Sequence, residues 1–375
     1  MIPKDIITIY PIPQESEVVI DEEQTRFTGT EKIVDVDPEP VEPPKKLRLN
    51  YPQDWPAYNQ AQTTEKDFFQ KILDELLCYV PEQERKRGRP SVPLRDQIMS
   101  ICIQQYVGLS SRRTTCDLNV AKDKHYLFNK LHFNTVLKCY NNHLMTSILK
   151  QLVEISSTPL SCVETHFAID SSGFSTSQFQ RWFDVKYQKK GTRRKFKKAH
   201  ITSGVKTNII TAVNITPGTH ADSPELPDLI RRTNKYFQVE EVSGDKAYSS
   251  KANLNLINQI GAVPYIPFKK NTTGKRGGMF WSRMYRHFIQ RQEEFMQHYH
   301  RRSNVETTFS MIKRKIGMKL RTKKETSQTN EILAKCLVHN ICVLIQEYYE
   351  LGIDVDFWKN PHLCANGINV QKSSI

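Results

Sequence analysis

Three acidic residues, Asp170, Asp245 and Glu306, have the chemical type needed for metal-dependent reactions at a phosphodiester. Asp170 follows the run 166–169, and Asp245 follows the run 239–244. Carboxylates on rigid elements can hold Mg²⁺ or Mn²⁺ beside a phosphate, where two ions about 3.5–4 Å apart serve the attacking and leaving oxygens. An aspartate at a strand end is more often a turn or capping residue, so neither aspartate is decisive alone.

Glu306 has more specific neighbours. On an ideal helix with Arg302 at 0°, Tyr299 lies at about 60°, Glu306 at about 40° and Lys313 at about 20°. An adjacent apolar face would contain Val305, Phe309, Ile312 and Ile316. Such a helix can pack through its apolar face while its other face presents a carboxylate between two cations. This arrangement suits a metal-binding acid beside a phosphate backbone. The alternative is a surface ion pair between Arg302 and Glu306 that stabilises the helix by a few tenths of a kcal/mol.

The segment 186–198 is strongly basic, with eight cations in thirteen residues. Its position soon after Asp170 favours contact with the DNA backbone, because phosphate contacts need cations and carry no sequence information. A solvated charged loop is the alternative. The candidate DNA-binding residues here are Arg193, Arg194, Lys197 and Lys198.

Two shorter signals also suggest DNA contact. Arg87 and Arg89 belong to an Arg-Gly-Arg-Pro sequence similar to an AT-hook core, whose arginines enter narrow minor grooves. A plain basic linker explains the same four residues. Lys246 follows Asp245 directly and would lie near a strand held by the acids.

The composition fits a protein that binds a polyanion. The chain has 375 residues and a formal net charge of +14. Residues 1–50 hold 11 acidic and 6 basic side chains, so the positive excess lies in the remainder. A basic balance of this size favours nucleic acid as the partner, and the alternative is a soluble basic protein without such a partner. No cysteine pair has zinc spacing, no apolar run is long enough to span a membrane, and no signal peptide is evident.

The pattern of elements predicts an α/β fold. Residues 1–63 are acidic and rich in proline, which predicts disorder. Helical spacing follows at 66–80, 94–107 and about 133–154, with a turn at 108–114. Strands are predicted at 165–170, 199–208, 209–217, 239–244 and 262–268. Helices are predicted at 223–237, at 251–261, through about 315 and at 331–349, and Asp222 with Glu225 fits a capping box. This order favours a mixed sheet covered by helices.

The spacing of Tyr299, Arg302, Glu306 and Lys313 resembles the YREK signature of the DDE transposases of bacterial insertion sequences. Similar motifs surround the two aspartates, at 168–174 and 243–250, and the resemblance covers about residues 87–349. Sixty residues lie between Asp245 and Glu306, which indicates the compact branch without a large β insertion.

The resemblance implies an RNase H-like catalytic domain at 161–350, preceded by a helical DNA-binding or dimerisation region at 64–160 and followed by a tail at 351–375. It implies that Asp170, Asp245 and Glu306 bind two Mg²⁺ or Mn²⁺ ions. Arg302 and Lys313 would contact phosphates, and Tyr299 would lie beside the strand being cut.

The implied activity is cleavage at transposon ends followed by strand transfer into target DNA. The implied partners are double-stranded DNA and a second copy of the chain, in the cytoplasm and associated with the nucleoid. Two alternatives remain, which are a nuclease or resolvase without strand transfer and a domesticated DNA-binding protein. The presence of all three acids disfavours the second.

Overall fold

Helices make up the first part of the structure, a computed structural model that describes residues 54–83, 87–88, 90–176, 196–275, 277–355 and 357. Within these residues, five α-helices precede the first strand. They are α1 (Trp55–Leu76), α2 (Leu94–Val107), α3 (Ser111–Asp123), α4 (Phe133–Cys139) and α5 (Leu144–Ser157).

Helix α1 begins at Trp55, earlier than the sequence pattern predicts. Asp54 caps it, because its Oδ1 accepts a hydrogen bond from the Ala57 amide at 3.1 Å, and Pro56 occupies the first turn. The prediction of disorder for 1–63 is therefore wrong for 55–63, where capping chemistry outweighs polar composition. Residues 1–53 lie outside the described residues.

The segment 108–114 is a turn only at its start. Gly108 has a φ of 72°, the left-handed conformation that ends α2. Helix α3 begins at Ser111, so Arg112 and Arg113 lie in its first turn. The helix predicted at about 133–154 is two helices, since Asn142 Oδ1 accepts a hydrogen bond from the Leu144 amide at 3.1 Å and helps form the break.

Five strands form one mixed sheet in the described part of the chain, in the order β3-β2-β1-β4-β5. Strand β1 pairs antiparallel with β2 and parallel with β4, β2 pairs antiparallel with β3, and β4 pairs parallel with β5. The strands are β1 (His166–Ser175), β2 (Phe196–Gly204), β3 (Ile210–Pro217), β4 (Glu241–Gly244) and β5 (Val263–Tyr265). The predicted RNase H-like mixed sheet flanked by helices is confirmed.

Helices cover both faces of the sheet because successive residues of β1 point to opposite sides. Phe167 and Ile169 pack in one cluster with α6 (Leu226–Asn234) and α7 (Lys251–Gln259). Ala168 on the other face packs in the main core. That core also takes in helices α1, α2 and α5, so the helical region and this face of the sheet are packed together. The boundary at residue 160 stays a prediction.

The predicted long helix through 315 is three shorter ones followed by a π-helical turn, Lys313–Gly317. They are α8 (Met279–Gln290), α9 (Gln292–His300) and α10 (Ser303–Ile312). Between α9 and α10 the amides of Arg301 and Arg302 bond three residues back, which tightens the turn. The final helix, α11 (Glu325–Leu351), begins before the predicted 331. No helix among the described residues is long and apolar enough to cross a membrane.

Glu347 on α11 supports a prediction about stability and pH. Burial raises the pKa of Glu347 to about 7, and the charges of Glu350 and Glu164 act in the same direction. A carboxyl whose pKa is higher in the folded state lowers stability as pH rises from about 4.5 through 7. We expect Glu347→Gln to raise the free energy of unfolding by about 2 kcal/mol at pH 8 and to change it little at pH 4.5. Urea denaturation at both pH values measures this.

The exposed Glu240→Gln variant is the control for that measurement, because its side chain is solvated in both states. Equal stabilisation of Glu347→Gln at pH 8 and pH 4.5 would contradict the assigned cause.

Candidate active site

Asp170 and Asp245 lie side by side where β4 ends. The prediction that the first strand ends at Asp170 is wrong, because β1 continues to Ser175 in its pairing with β2. Strands β1 and β4 are parallel, and Ile169 pairs with Gly244, so the next residue of each chain segment is an aspartate. Carboxyl ends of parallel strands meet at the same edge, where ligands of such sheets bind. The two carboxylates are close enough for their charges to interact.

Glu306 reaches this edge from helix α10. Val305 and Phe309 on that helix are buried in the main core. Thr308 Oγ1 shares a hydrogen bond of 2.9 Å with Ser203 Oγ of β2. These contacts hold α10 against the sheet and turn Glu306 outward, with 57% of its side chain exposed.

Arg302 joins two of the three acids. Its Nη1 donates to Asp170 Oδ2 at 2.8 Å, and its Nη2 donates to Glu306 Oε1 at 2.5 Å. The ion pair with Glu306 is the one that a purely structural helix would form. The additional bond to Asp170 on β1 is not explained by helix stabilisation. The guanidinium thus lies between a helix acid and a strand acid.

The electrostatics of the site favour a further cation. Burial raises the pKa of Asp170, and the negative charges of Glu306 and Asp245 raise it further. The Ser171 amide, which donates to Asp170 Oδ1 at 2.8 Å, and the Arg302 guanidinium act against them. A cation placed beside Asp170 would offset the repulsion that Glu306 and Asp245 exert on its carboxylate.

The donor set suits Mg²⁺ or Mn²⁺, because all three side chains supply carboxylate oxygens. Among the described residues, no three His, Cys, Asp or Glu side chains already stand in a metal-binding arrangement. Arg302 lies between Asp170 and Glu306. Binding an ion with all three acids therefore requires the Arg302 side chain to move.

Lys313 and Tyr299 flank this cluster. Lys313 Nζ donates to Ser172 Oγ on β1 at 2.6 Å and lies 5.7 Å from the centre of the Phe174 ring. Burial lowers the pKa of Lys313. The Tyr299 ring centre lies 5.9 Å from Arg302 Cζ. The four residues of the YREK spacing therefore gather beside β1, although the helix predicted to carry them is broken.

The other predicted DNA contacts differ in their surroundings. Lys197 is buried and pairs with Glu325 at 2.5 Å, and Lys198 pairs with Asp222 at 2.7 Å. Both amino groups are engaged with acids, and their contact with DNA stays a prediction. Lys246 and Arg87 are exposed. Arg89, Arg193 and Arg194 lie outside the described residues.

Sequence analysis missed the role of Asp222. The predicted capping box is wrong, since the Asp222 side chain makes no cap hydrogen bond to the helical turn that it precedes. Its Oδ1 instead accepts hydrogen bonds from Ser171 Oγ at 2.9 Å and Lys198 Nζ. His200 Nδ1 lies 3.4 Å from the same oxygen. The alternation of β2, which places residues 198 and 200 on one face, was the available signal.

Gly244 makes the close approach of β4 to β1 possible. A Cβ at this position would lie 2.8 Å from Ile169 Cγ2, one residue before each aspartate. We expect Gly244→Ala to lower the free energy of unfolding by about 1–3 kcal/mol, because the strands must shift. Thermal denaturation measures this effect.

Gly173→Ala on β1 is the matched control, since its Cβ would meet Phe196 at an ordinary 3.4 Å. An equal loss of stability in the two variants would mean that the contact with Ile169 is not the cause.

Comparisons with known proteins agree with this geometry. A family model described as "Transposase DDE domain" matches residues 161–341. A protein of Archaeoglobus fulgidus described as "Probable transposase for insertion sequence element ISA1214" is 33% identical over 104 residues. That match covers 28% of this chain and 31% of the relative. With the mixed sheet and the acids at its edge, these similarities show that residues 161–341 belong to the transposase DDE domain family.

Proposed function

We propose that the protein is a transposase that cuts DNA at transposon ends and joins the freed ends to target DNA. The observation that carries the proposal is that Asp245 and Glu306 lie close enough to Asp170 for their charges to act on it, with Arg302 bonded to Asp170 and Glu306. The three acids would hold two Mg²⁺ or Mn²⁺ ions. When bound, these ions activate the attacking oxygen and stabilise the leaving one.

The first step is hydrolysis at the end of the element. Water attacks phosphorus in line with the departing oxygen, and the broken phosphodiester leaves a free 3′-OH. In the second step that 3′-OH attacks a phosphodiester of the target, so one bond forms as another breaks. Negative charge grows on the phosphoryl oxygens in both steps, where Arg302 and Lys313 would stabilise it.

The proposed organisation places DNA binding and dimerisation in 64–160, catalysis in 161–350 and a tail at 351–375. A homodimer is proposed because two ends of an element must be held together. The proposed place of action is the cytoplasm, with the nucleoid as substrate. Tyr299 and Lys246 would lie beside the strand being cut, and Arg87, Arg89, Arg193, Arg194, Lys197 and Lys198 are proposed as further backbone contacts.

Strand transfer separates this proposal from a nuclease or resolvase without that activity. The terminal sequences are read from inverted repeats that flank the coding region. A labelled duplex with a pre-cleaved 3′ end is then incubated with supercoiled plasmid, protein and Mg²⁺. A transposase joins the label to the plasmid. Cleavage of uncut ends without joining would favour the nuclease, and binding without either reaction would favour a domesticated DNA-binding protein.

A further inference from the structure

The segment 313–324, which leads from the candidate active site to helix α11, is unusually basic. Lys313 begins it beside β1, and Lys315 pairs with Glu65 of α1. The other cations of the segment are exposed. They are Arg314, Lys319, Arg321, Lys323 and Lys324.

Buried charges on α11 fix the path of this segment. The Glu331 carboxylate is fully buried and accepts hydrogen bonds from the amides of Arg321 and Thr322, each at 3.0 Å from its nearer oxygen. The buried Lys335 Nζ donates to the carbonyl oxygens of Gly317 at 2.6 Å and Lys319 at 3.2 Å. Burying two ionisable groups is costly unless their bonds are satisfied. They are satisfied by the backbone of the segment, which is therefore held in one shape with its cations outward.

One end of the segment follows β1 away from the acids. The Leu320 amide donates to the Ser175 carbonyl at 3.0 Å, and Lys319 bridges to the same residue. Ser175 is five residues beyond Asp170 on an extended strand, a distance of about 17 Å. This length corresponds to about five base-pair steps of duplex DNA. The cations of the segment therefore start beside the candidate active site and continue along β1.

The other end of the segment contacts the helical region. The Arg321 guanidinium donates to the carbonyl oxygens of Gly108 and Leu109, in the turn between α2 and α3. The next helical turn exposes Arg112 and Arg113. These contacts join segment 313–324 to the turn before α3. The exposed cations of the segment therefore continue into those of the first turn of α3.

Several of these cations have no acidic partner. Within the described ranges no ion pair involves Arg113, Arg314, Lys323 or Lys324. The exposed cations Lys66 and Lys124, by comparison, pair with aspartates. A rigid row of unpaired cations is the arrangement that binds phosphates with little loss of conformational entropy.

We propose that segment 313–324 and the first turn of α3 form one phosphate-binding tract, which holds the DNA duplex that flanks the cleavage position. The proposal rests on the proposed function, because it takes DNA as the partner and the three acids as the cutting site. It assigns to the helical region a docking surface at α3, in addition to the contacts predicted from the Arg-Gly-Arg-Pro sequence.

The test compares two double variants that remove the same charge. Arg314→Gln with Lys323→Gln alters the tract. Arg231→Gln with Lys235→Gln alters exposed cations on and just after α6, which covers the opposite face of the sheet. Binding of the full chain to a fluorescent 40-base-pair duplex of arbitrary sequence is measured by anisotropy at several NaCl concentrations, in EDTA. Circular dichroism checks that both variants are folded.

We expect the slope of log K against log[salt] to be less steep by about 2 for the tract variant and unchanged for the α6 variant. Equal slopes for the two variants would overturn the tract and leave the proposed function standing. No binding of the duplex by the unmodified protein at any salt concentration would overturn both.

Discussion

The Asp170→Asn and Asp245→Asn variants are expected to lose DNA cleavage by roughly three orders of magnitude or more, while they keep their affinity for duplex DNA. Asparagine preserves the shape of each side chain but removes the negative charge that holds a divalent cation. The two positions are neighbours in the register of β1 and β4, so neither acid can replace the other without a shift of the strands. Cleavage is measured on labelled transposon ends, and binding is measured in EDTA.

Asp67→Asn is the matched control for these substitutions. Asp67 is exposed on α1, far along the chain from the sheet edge, and pairs only with surface cations. Its variant should cut normally. Normal cleavage by Asp170→Asn or Asp245→Asn would remove that residue from the site, and loss of duplex binding by either would mean that the substitution damages more than the chemistry.

Titration with Mn²⁺ gives a second measurement for the same variants. Calorimetry on the DNA-free protein should show weaker binding for Asp170→Asn than for the unmodified protein, because the substitution removes the carboxylate that lies near the charges of both Glu306 and Asp245. Unchanged binding of Mn²⁺ would mean that the ion is held elsewhere, whatever the cleavage rate.

The sequence could predict the position of the aspartates because strand pattern and strand end are local signals. Asp170 follows an apolar run inside β1, Asp245 follows the end of β4, and the parallel pairing of these strands brings the two residues together. Arg302, Glu306 and Lys313 lie near one another beside β1, as their spacing predicts, even though the predicted helix is interrupted. Side chains three and four residues apart remain close through a tightened turn, since a 3₁₀ turn changes their rotation only modestly.

The sequence could not predict contacts that depend on tertiary packing. Asp222 looked like a helix cap because capping residues and acids that bind across a sheet have the same residue types. Only the pairing of β1 with β2 shows that it meets Ser171 and Lys198. Glu331 and Lys335 lie in the helix predicted at 331–349, and nothing in its sequence pattern indicates that both are buried. Their role appears only when the segment before α11 folds back over them.

Arg302→Ala is expected to bind Mn²⁺ about ten times more tightly than the unmodified protein and yet to cleave DNA about a hundred times more slowly. In the free protein the guanidinium neutralises Asp170 and Glu306, so it competes with an incoming ion for the same oxygens. Removing it frees the carboxylates of Asp170 and Glu306 from that cation, so a metal ion can bind both of them without displacing it. Once ions and DNA are bound, however, a cation beside the phosphate is lost.

Arg302→Lys and Arg301→Ala separate charge, geometry and simple proximity. Lysine keeps the charge but cannot donate to two carboxylates through a planar fork, so its cleavage rate should fall between those of arginine and alanine. Arg301 is the adjacent residue, but it donates to Glu241 at 2.7 Å, at the opposite end of β4 from Asp245. Its replacement should leave Mn²⁺ affinity unchanged.

The tighter Mn²⁺ binding and the slower cleavage expected of Arg302→Ala distinguish a cation that moves to the phosphate from a structural ion-pair partner. A residue that only stabilised α10 would, on removal, weaken Mn²⁺ binding and cleavage together, because Glu306 would lose its position. Removal of a residue that neutralises the acids until DNA binds would instead strengthen Mn²⁺ binding and slow cleavage. The slope of duplex binding against salt should also become less steep by about 1, since one phosphate contact is lost. Weaker Mn²⁺ binding by Arg302→Ala would show that Arg302 acts as a structural ion-pair partner rather than as a cation that moves to the phosphate.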